Sequence, residues 1–217
     1  MSGKKILLVE PKKSLKYHTQ YPPLGLLKIS SYHKRQGNIV YFVRGIEDNN
    51  FDPDIIYITS LFTYAWEPVH EVIRYYSQKY KKAEIIVGGI YATLCEEHLR
   101  EAFKDRIMIH KGLFEEVEDL LPDYSLIPEW DASIIFASRG CIRNCPFCSV
   151  KILEPEFNAK QSVKHLIHPG HKMVIFWDNN ILASPFWENI LQELEESKLK
   201  VDFNQGLDAR LINSKVV

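Results

Sequence analysis

Residues 54–89 read DIIYITSLFTYAWEPVHEVIRYYSQKYKKAEIIVGG, and this stretch predicts a strand, a helix and a second strand. Asp54–Thr59 and Glu84–Val87 are short apolar runs, typical of strands that are buried on both faces. Strands of this type, joined through a helix, predict a parallel sheet covered by helices. The apolar face of the helix is formed by side chains three or four residues apart: Val69, Val72, Ile73, Tyr76 and Tyr80.

The same alternation of strands and helices continues on both sides of this unit. Further strands are predicted at Lys5–Val9, Asn38–Val43 and Arg106–His110, and further helices from Pro23 to about Gln36, at Cys95–Phe103 and at Phe114–Leu121. The chain is therefore predicted to be an α/β protein whose residues 1–121 form a doubly wound, Rossmann-like domain with a parallel sheet. Residues 122–132 contain two prolines and no periodic pattern, which predicts a connector.

A second domain is predicted over residues 133–217. Its strands are expected at Ser133–Ala137, Met173–Trp177 and Val201–Asn204, and its helices at Ser162–His168, Phe186–Ser197 and from Leu207 onward. These are three strand–helix steps, the last of them barely begun where the sequence stops.

Composition restricts the class of protein. Of 217 residues, 46% are hydrophobic and 25% charged, which predicts a soluble globular protein without disorder. No apolar run approaches the roughly 18 residues that span a bilayer, and Met1–Lys5 lacks a signal-peptide core, so a cytoplasmic location is expected. Lysine and arginine (27) nearly balance aspartate and glutamate (28), and the clusters Lys12–Lys13 and Lys79–Lys82 are short. No nucleic-acid surface is therefore predicted.

Three of the four cysteines lie within eight residues, with the spacing C-x3-C-x2-C: Cys141, Cys145 and Cys148. Three thiolates on one loop can each bind one iron of a four-iron cluster and leave the fourth iron open to a small molecule. A zinc site is the alternative, and it needs a fourth ligand from Cys95, His165, His168 or His171. A disulfide is disfavoured, because the loop has an odd number of thiols and a reducing compartment is expected.

Residues 138–150, SRGCIRNCPFCSV, resemble the signature of the radical S-adenosylmethionine superfamily, C-x3-C-x-aromatic-C, with Phe147 at the aromatic position. The resemblance implies that Cys141, Cys145 and Cys148 hold a 4Fe-4S cluster whose open iron binds S-adenosylmethionine. Reductive cleavage would then give a 5'-deoxyadenosyl radical. It also implies an electron donor such as flavodoxin or ferredoxin, an unidentified substrate, and Phe147 beside the adenine. The alternative for Phe147 is an ordinary core aromatic.

Other segments resemble the branch of this superfamily in which a cobalamin-binding-type domain precedes a (β/α)6 partial barrel. They are YPPLGLL at 21–27, IIVGGIYATL at 85–94, GLFEEVEDLLPD at 112–123, WDNNI at 177–181 and NQGLDARL at 204–211. The cobalt-ligating motif D-x-H-x-x-G is absent from the first domain, so cobalamin is an open alternative and not a firm expectation. Because about half of the barrel is present, we expect either a truncated, non-catalytic cluster-binding product or one part of a split enzyme as the alternative to a complete enzyme.

Candidate ligand-binding residues follow predicted strands. In the first domain, Ser60, Gly88 and Gly89 are predicted to face a ligand at the carboxyl ends of parallel strands, although the glycine pair is equally typical of a tight turn. In the second domain the resemblance implies that the residues after the second strand contact the amino group of S-adenosylmethionine, with turn capping as the alternative. These residues are Asp178, Asn179 and Asn180.

Residues after the third strand complete the predicted site. Gln205, Asp208 and Arg210 are predicted to reach substrate or cofactor, although Arg210 could equally pair with Asp208 near a helix start. Arg139 and Arg143 flank the cysteines, where a cation would stabilise thiolates.

Overall fold

The computed structural model describes residues 3–11, 21–48 and 50–216, so the basic pair Lys12–Lys13 lies outside the described residues. The chain divides into two compact units, with the boundary between Ile127 and Pro128. In the described part of the chain, no helix combines the length and the apolar character that a membrane span requires.

The first unit contains a five-stranded sheet in which every strand pair is parallel. The strand order is β2-β1-β3-β4-β5, which is a doubly wound order with a switch point between β1 and β3. The predicted α/β class is therefore confirmed. The strands are β1 (Lys5–Glu10), β2 (Ile39–Arg44), β3 (Ile55–Thr59), β4 (Glu84–Gly88) and β5 (Met108–His110).

Helices cover both faces of this sheet, because alternate side chains of the central strands point to opposite sides. On β1, Leu7 and Val9 belong to one core cluster, whereas Ile6 and Leu8 belong to another. The predicted helix at Cys95–Phe103 starts earlier, as two helices that meet at Cys95. The helices are α1 (Leu24–Arg35), α2 (Trp66–Lys79), α3 (Ile90–Leu94), α4 (Glu96–Phe103) and α5 (Glu115–Glu118).

The second unit contains a three-stranded parallel sheet in the order β10-β9-β6 and a short antiparallel pair, β7 with β8. Its core is formed by buried side chains from the sheet and from α7, including Ile135, Val174, Phe176, Ile190 and Leu194. The elements are β6 (Ala132–Ile135), β7 (Ser138–Arg139), α6 (Val150–Leu153), β8 (Asn158–Ala159), β9 (Met173–Phe176), α7 (Trp187–Ser197) and β10 (Lys200–Phe203).

Two predicted helices of the second unit are wrong. Ser162–His168 contains only a 3-10 turn at Lys164–Leu166, and the hydroxyl of Ser162 donates to Glu193. The segment from Leu207 likewise contains only a 3-10 turn at Ala209–Leu211. There the Asp208 side chain accepts from the Arg210 backbone N–H and so caps the start of the turn.

Candidate functional site

The cysteine loop, residues 140–149, lies between β7 and α6 and has no regular structure. Cys141 and Cys145 are half-buried and Cys148 is exposed. The backbone N–H of Arg143 donates to Cys141 Sγ at 3.4 Å, and the backbone N–H of Cys148 donates to the Cys145 carbonyl oxygen at 3.0 Å. All three cysteines thus take part in hydrogen bonds within the loop, Cys141 through its sulfur and the other two through their backbones.

The histidines that a zinc site would need lie elsewhere in the second unit. The hydroxyl of Ser133, at the amino end of β6, accepts from the His168 backbone N–H at 2.9 Å and lies 3.0 Å from His171 Nδ1. The cysteine loop follows the carboxyl end of the same strand. Within the described ranges, no three His, Cys, Asp or Glu side chains form a group that could hold a metal ion.

Asp178 holds the chain segment that leads into the cysteine loop. Its carboxylate accepts from the backbone N–H of Ala137 at 3.0 Å and from both the backbone N–H and the hydroxyl of Ser138. The side chain is buried, and burial raises the pKa of Asp178 to about 6 although the three donors act in the opposite direction. Asp178 therefore joins the ends of β6 and β9.

Glu154, on the far side of the loop, is a second anchor. It accepts from the Gly140 backbone N–H at 2.6 Å, from Arg139 Nη1 at 3.0 Å and from Asn179 Nδ2 at 3.2 Å. The Arg139 guanidinium also lies 3.3 Å from the ring centre of Phe136. Nothing in the sequence pattern singles out Glu154, because its partners are defined only by the folded chain.

Asp208 contacts the cysteine loop from the segment after β10. Its carboxylate accepts from Arg143 Nε at 3.0 Å, from Asn180 Nδ2 at 3.2 Å and from Arg210 Nε at 2.7 Å. The hydrogen bond from Arg210 holds the pKa of Asp208 well below its usual range, and the bond from Arg143 acts in the same direction. The pKa of Arg210 is raised, first by its hydrogen bond to Asp208 and to a smaller extent by Cys145 and Cys141. The alternative in which Arg210 pairs with Asp208 is therefore observed.

Asn180 lies beside Cys141 and is almost completely buried, with an exposed fraction of 3%. Its Nδ2 is 4.0 Å from Cys141 Sγ and also donates to Asp208. Its Oδ1 is buried and has no hydrogen-bond partner in the described part of the structure. An unsatisfied buried acceptor at this position is a candidate contact for a ligand that carries an N–H donor.

Phe147 and Gln205 are exposed. The exposed fraction of Phe147 is 89%, so this aromatic ring is not a core residue. Gln205 donates to Asn204 Oδ1 at 3.2 Å. Of the predicted site residues in the second unit, Asn180 lies 4.0 Å from the Cys141 sulfur, whereas Asp178 and Asn179 contact the segments that lead into and out of the loop.

In the first unit, Ser60, Gly88 and Gly89 lie together at the ends of β3 and β4, where they form hydrogen bonds and close contacts with one another. The buried Ser60 hydroxyl donates to the Gly88 carbonyl oxygen at 2.8 Å and accepts from the Ala92 backbone N–H at 3.1 Å. Gly89 has a φ of +111°, and a Cβ there would collide with the Ser60 carbonyl oxygen. This arrangement favours the tight-turn alternative.

A polar cluster that the sequence did not predict joins three helices of the first unit. The Tyr91 hydroxyl on α3 lies 2.8 Å from His70 Nε2 on α2 and 2.8 Å from His98 Nδ1 on α4. Burial lowers the pKa of His70 to about 4, so this ring is neutral at pH 7.

The chemistry of the donor set in the second unit suits an iron–sulfur cluster, although the three described thiols are not gathered into a metal-binding group in the structure. Three thiols share one loop, the Cys141 sulfur accepts a backbone N–H, and the guanidiniums of Arg143 and Arg210 both donate to Asp208. Hydrogen bonds to sulfur and nearby charge are the features by which proteins adjust such clusters.

No family model matches the chain, and no curated protein matches it. One solved structure that matches is the apo, selenomethionine-labelled cobalamin-dependent S-adenosylmethionine radical enzyme OxsB. The match has a TM-score of 0.48 and 16% sequence identity, and it covers 92% of this chain. This chain spans 38% of the length of that protein. At this level of similarity the comparison assigns no family.

Proposed function

We propose that this chain is a radical S-adenosylmethionine protein in which Cys141, Cys145 and Cys148 hold a 4Fe-4S cluster. The observation that carries the proposal is the spacing of these cysteines on a loop at the carboxyl edge of a parallel sheet. Active sites of strand–helix barrels gather at this edge. When bound, the cluster supplies the electron that cleaves the sulfonium of S-adenosylmethionine.

Residues around the loop would bind and orient S-adenosylmethionine. The Asn180 Oδ1, which has no donor among the described residues, would accept a hydrogen bond from the amino group of the ligand. The exposed ring of Phe147 is available to stack on the adenine. Arg210 would contribute positive charge beside the thiolates.

Asp178, Asn179 and Glu154 would act by positioning. The Asp178 carboxylate is occupied by donors from Ala137 and Ser138, so its role would be to fix the start of the loop. Asn179 reaches the loop through Glu154, which accepts from Gly140. These contacts would keep the cysteines in place when the cluster assembles.

The proposed chemistry requires a one-electron donor, for which a flavodoxin or a ferredoxin is suitable, and a reducing compartment such as the cytoplasm. Cobalamin is not part of the proposal, because Ser60 and Gly89 are occupied by their own hydrogen bonds and close contacts.

The test is anaerobic cluster reconstitution followed by electron paramagnetic resonance of the reduced protein, with and without S-adenosylmethionine. The wild type should show a four-iron signal that changes when S-adenosylmethionine is added, and Cys145→Ala should lose it. Cys95→Ala is the matched control, because Cys95 packs against the core of the first unit and should leave the signal unchanged. A tightly held zinc without iron, or a cluster that does not respond to S-adenosylmethionine, would contradict the proposal.

A further inference from the structure

Asp208 connects three segments that are distant in sequence. Its carboxylate accepts from Arg143 in the cysteine loop, from Asn180 after β9 and from Arg210 after β10. The Asp208 side chain is only 9% exposed, and its contacts with Arg143 and Asn180 are partly buried, whereas the Arg210 side chain is 64% exposed. Partly buried, charge-assisted hydrogen bonds are stronger than exposed ion pairs, and they also hold the bonded side chains in a defined geometry.

The contact with Asn180 determines which way its amide faces. An ionised carboxylate only accepts hydrogen bonds, so the amide nitrogen must face Asp208 and the amide oxygen must face away. The reversed amide would place two acceptors against each other. The buried, unsatisfied position of Asn180 Oδ1 is therefore a consequence of Asp208.

Leaving such an oxygen without a donor is destabilising, because its desolvation is not compensated by a hydrogen bond. A ligand N–H donor that reached Oδ1 would recover this free energy, whereas an amide free to rotate would lose the preorganised acceptor. In the same way, the bond from Arg143 holds the loop between Cys141 and Cys145 against the segment after β10.

We infer that Asp208 is a positioning residue that holds the cysteine loop through Arg143 and presents the Asn180 oxygen to the amino group of the bound ligand. The inference rests on the function proposed above for its ligand, S-adenosylmethionine. The role of Asp208 in holding the cysteine loop, by contrast, does not depend on any ligand. The two parts can therefore be tested separately.

The first experiment measures amide hydrogen exchange of residues 141–149 in the cluster-free full chain. Asp208→Asn keeps the size of the side chain but removes its charge, and exchange in the loop should become about tenfold faster. Asp208→Glu should restore part of the protection. Asp202→Asn, on β10, is the matched control and should match the wild type. Unchanged exchange in Asp208→Asn would overturn the inference, and protection of β6 and β9 in the same data shows that the variant is folded.

The second experiment titrates S-adenosylmethionine into the reconstituted protein and follows the change in the electron paramagnetic resonance spectrum. Asp208→Asn should require about tenfold more S-adenosylmethionine for the same spectral change. The introduced amide can donate as well as accept hydrogen bonds, so it no longer holds the Asn180 amide in one orientation. An unaltered titration would overturn the role in ligand binding. If the wild type itself gave no response, the proposed function would fail, while the exchange result would still decide the role of Asp208 in the loop.

Discussion

Gly140 is the residue on which the path of the cysteine loop depends. Its φ is +72°, and a Cβ there would collide with the Glu156 carbonyl oxygen. We expect Gly140→Ala to destabilise the chain by about 1–3 kcal/mol and to lower the iron bound after reconstitution, because the loop must move. Iron content and thermal unfolding measure both effects. Gly25→Ala, on an exposed helix position with open space around it, should not destabilise the chain, and equal behaviour of the two variants would be inconsistent with this account.

Asp178 predicts a pH dependence with a definite sign. Its folded-state pKa of about 6 lies above the ordinary 3.8, so the folded chain binds this proton more tightly than the unfolded chain. The stabilisation is fully present below about pH 4 and is lost as pH rises through about 6, a change on the order of 3 kcal/mol.

Asp178→Asn should remove this dependence and, because it replaces an acceptor of backbone N–H groups, should also cost about 1–3 kcal/mol at pH 7. Urea unfolding of both proteins at several pH values between 4 and 7 measures the difference. If the difference in the free energy of unfolding between the two proteins stayed constant across that pH range, Asp178 would not be the source of the pH dependence.

At the scale of elements, the Tyr91 hydroxyl connects α2, α3 and α4 through His70 and His98. Tyr91→Phe removes the hydroxyl and leaves the buried His70 nitrogen without this partner, so we expect a loss of about 1–3 kcal/mol in the free energy of unfolding. Circular dichroism during urea unfolding is the measurement. Tyr64→Phe is the control, because 56% of Tyr64 is exposed, and a similar loss there would rule out the helix-joining role.

Elements with a continuous apolar run or a helical period were predictable from the sequence, whereas two-residue strands and side-chain contacts were not. The strands β3 and β4 are continuous apolar runs, and α2 has an apolar face with a helical period. The structure places these three elements where the sequence predicts them. The two-residue strands β7 and β8 are too short to have a period. The Cys141–Cys148 spacing indicates the candidate site, but the partners of Asp208 and Glu154 become neighbours only through folding.

At the scale of the whole molecule, each core cluster takes its residues from one unit. Two clusters lie in the first unit and one in the second. Separate cores predict two unfolding transitions in calorimetry. Ile73→Ala, in α2, should lower one transition and Ile190→Ala, in α7, the other, each by an amount equivalent to about 2–5 kcal/mol. A single transition that both variants lower equally would contradict the prediction of two separately unfolding units.

If the cysteine loop holds a cluster as proposed, its anchors also affect how the chain would acquire iron. Three thiols lie within eight residues, and hydrogen bonds at Gly140 and Arg143 restrict the segment that contains the first of them. After one thiolate binds an iron, the other two meet it at an effective concentration on the order of millimolar or above. Under the proposed function the loop would therefore be a chelator, and the anchors at Glu154 and Asp208 would reduce the conformational entropy that is lost when the loop binds iron. Iron capture by the loop would then be favoured over capture by single thiols before any cluster is complete.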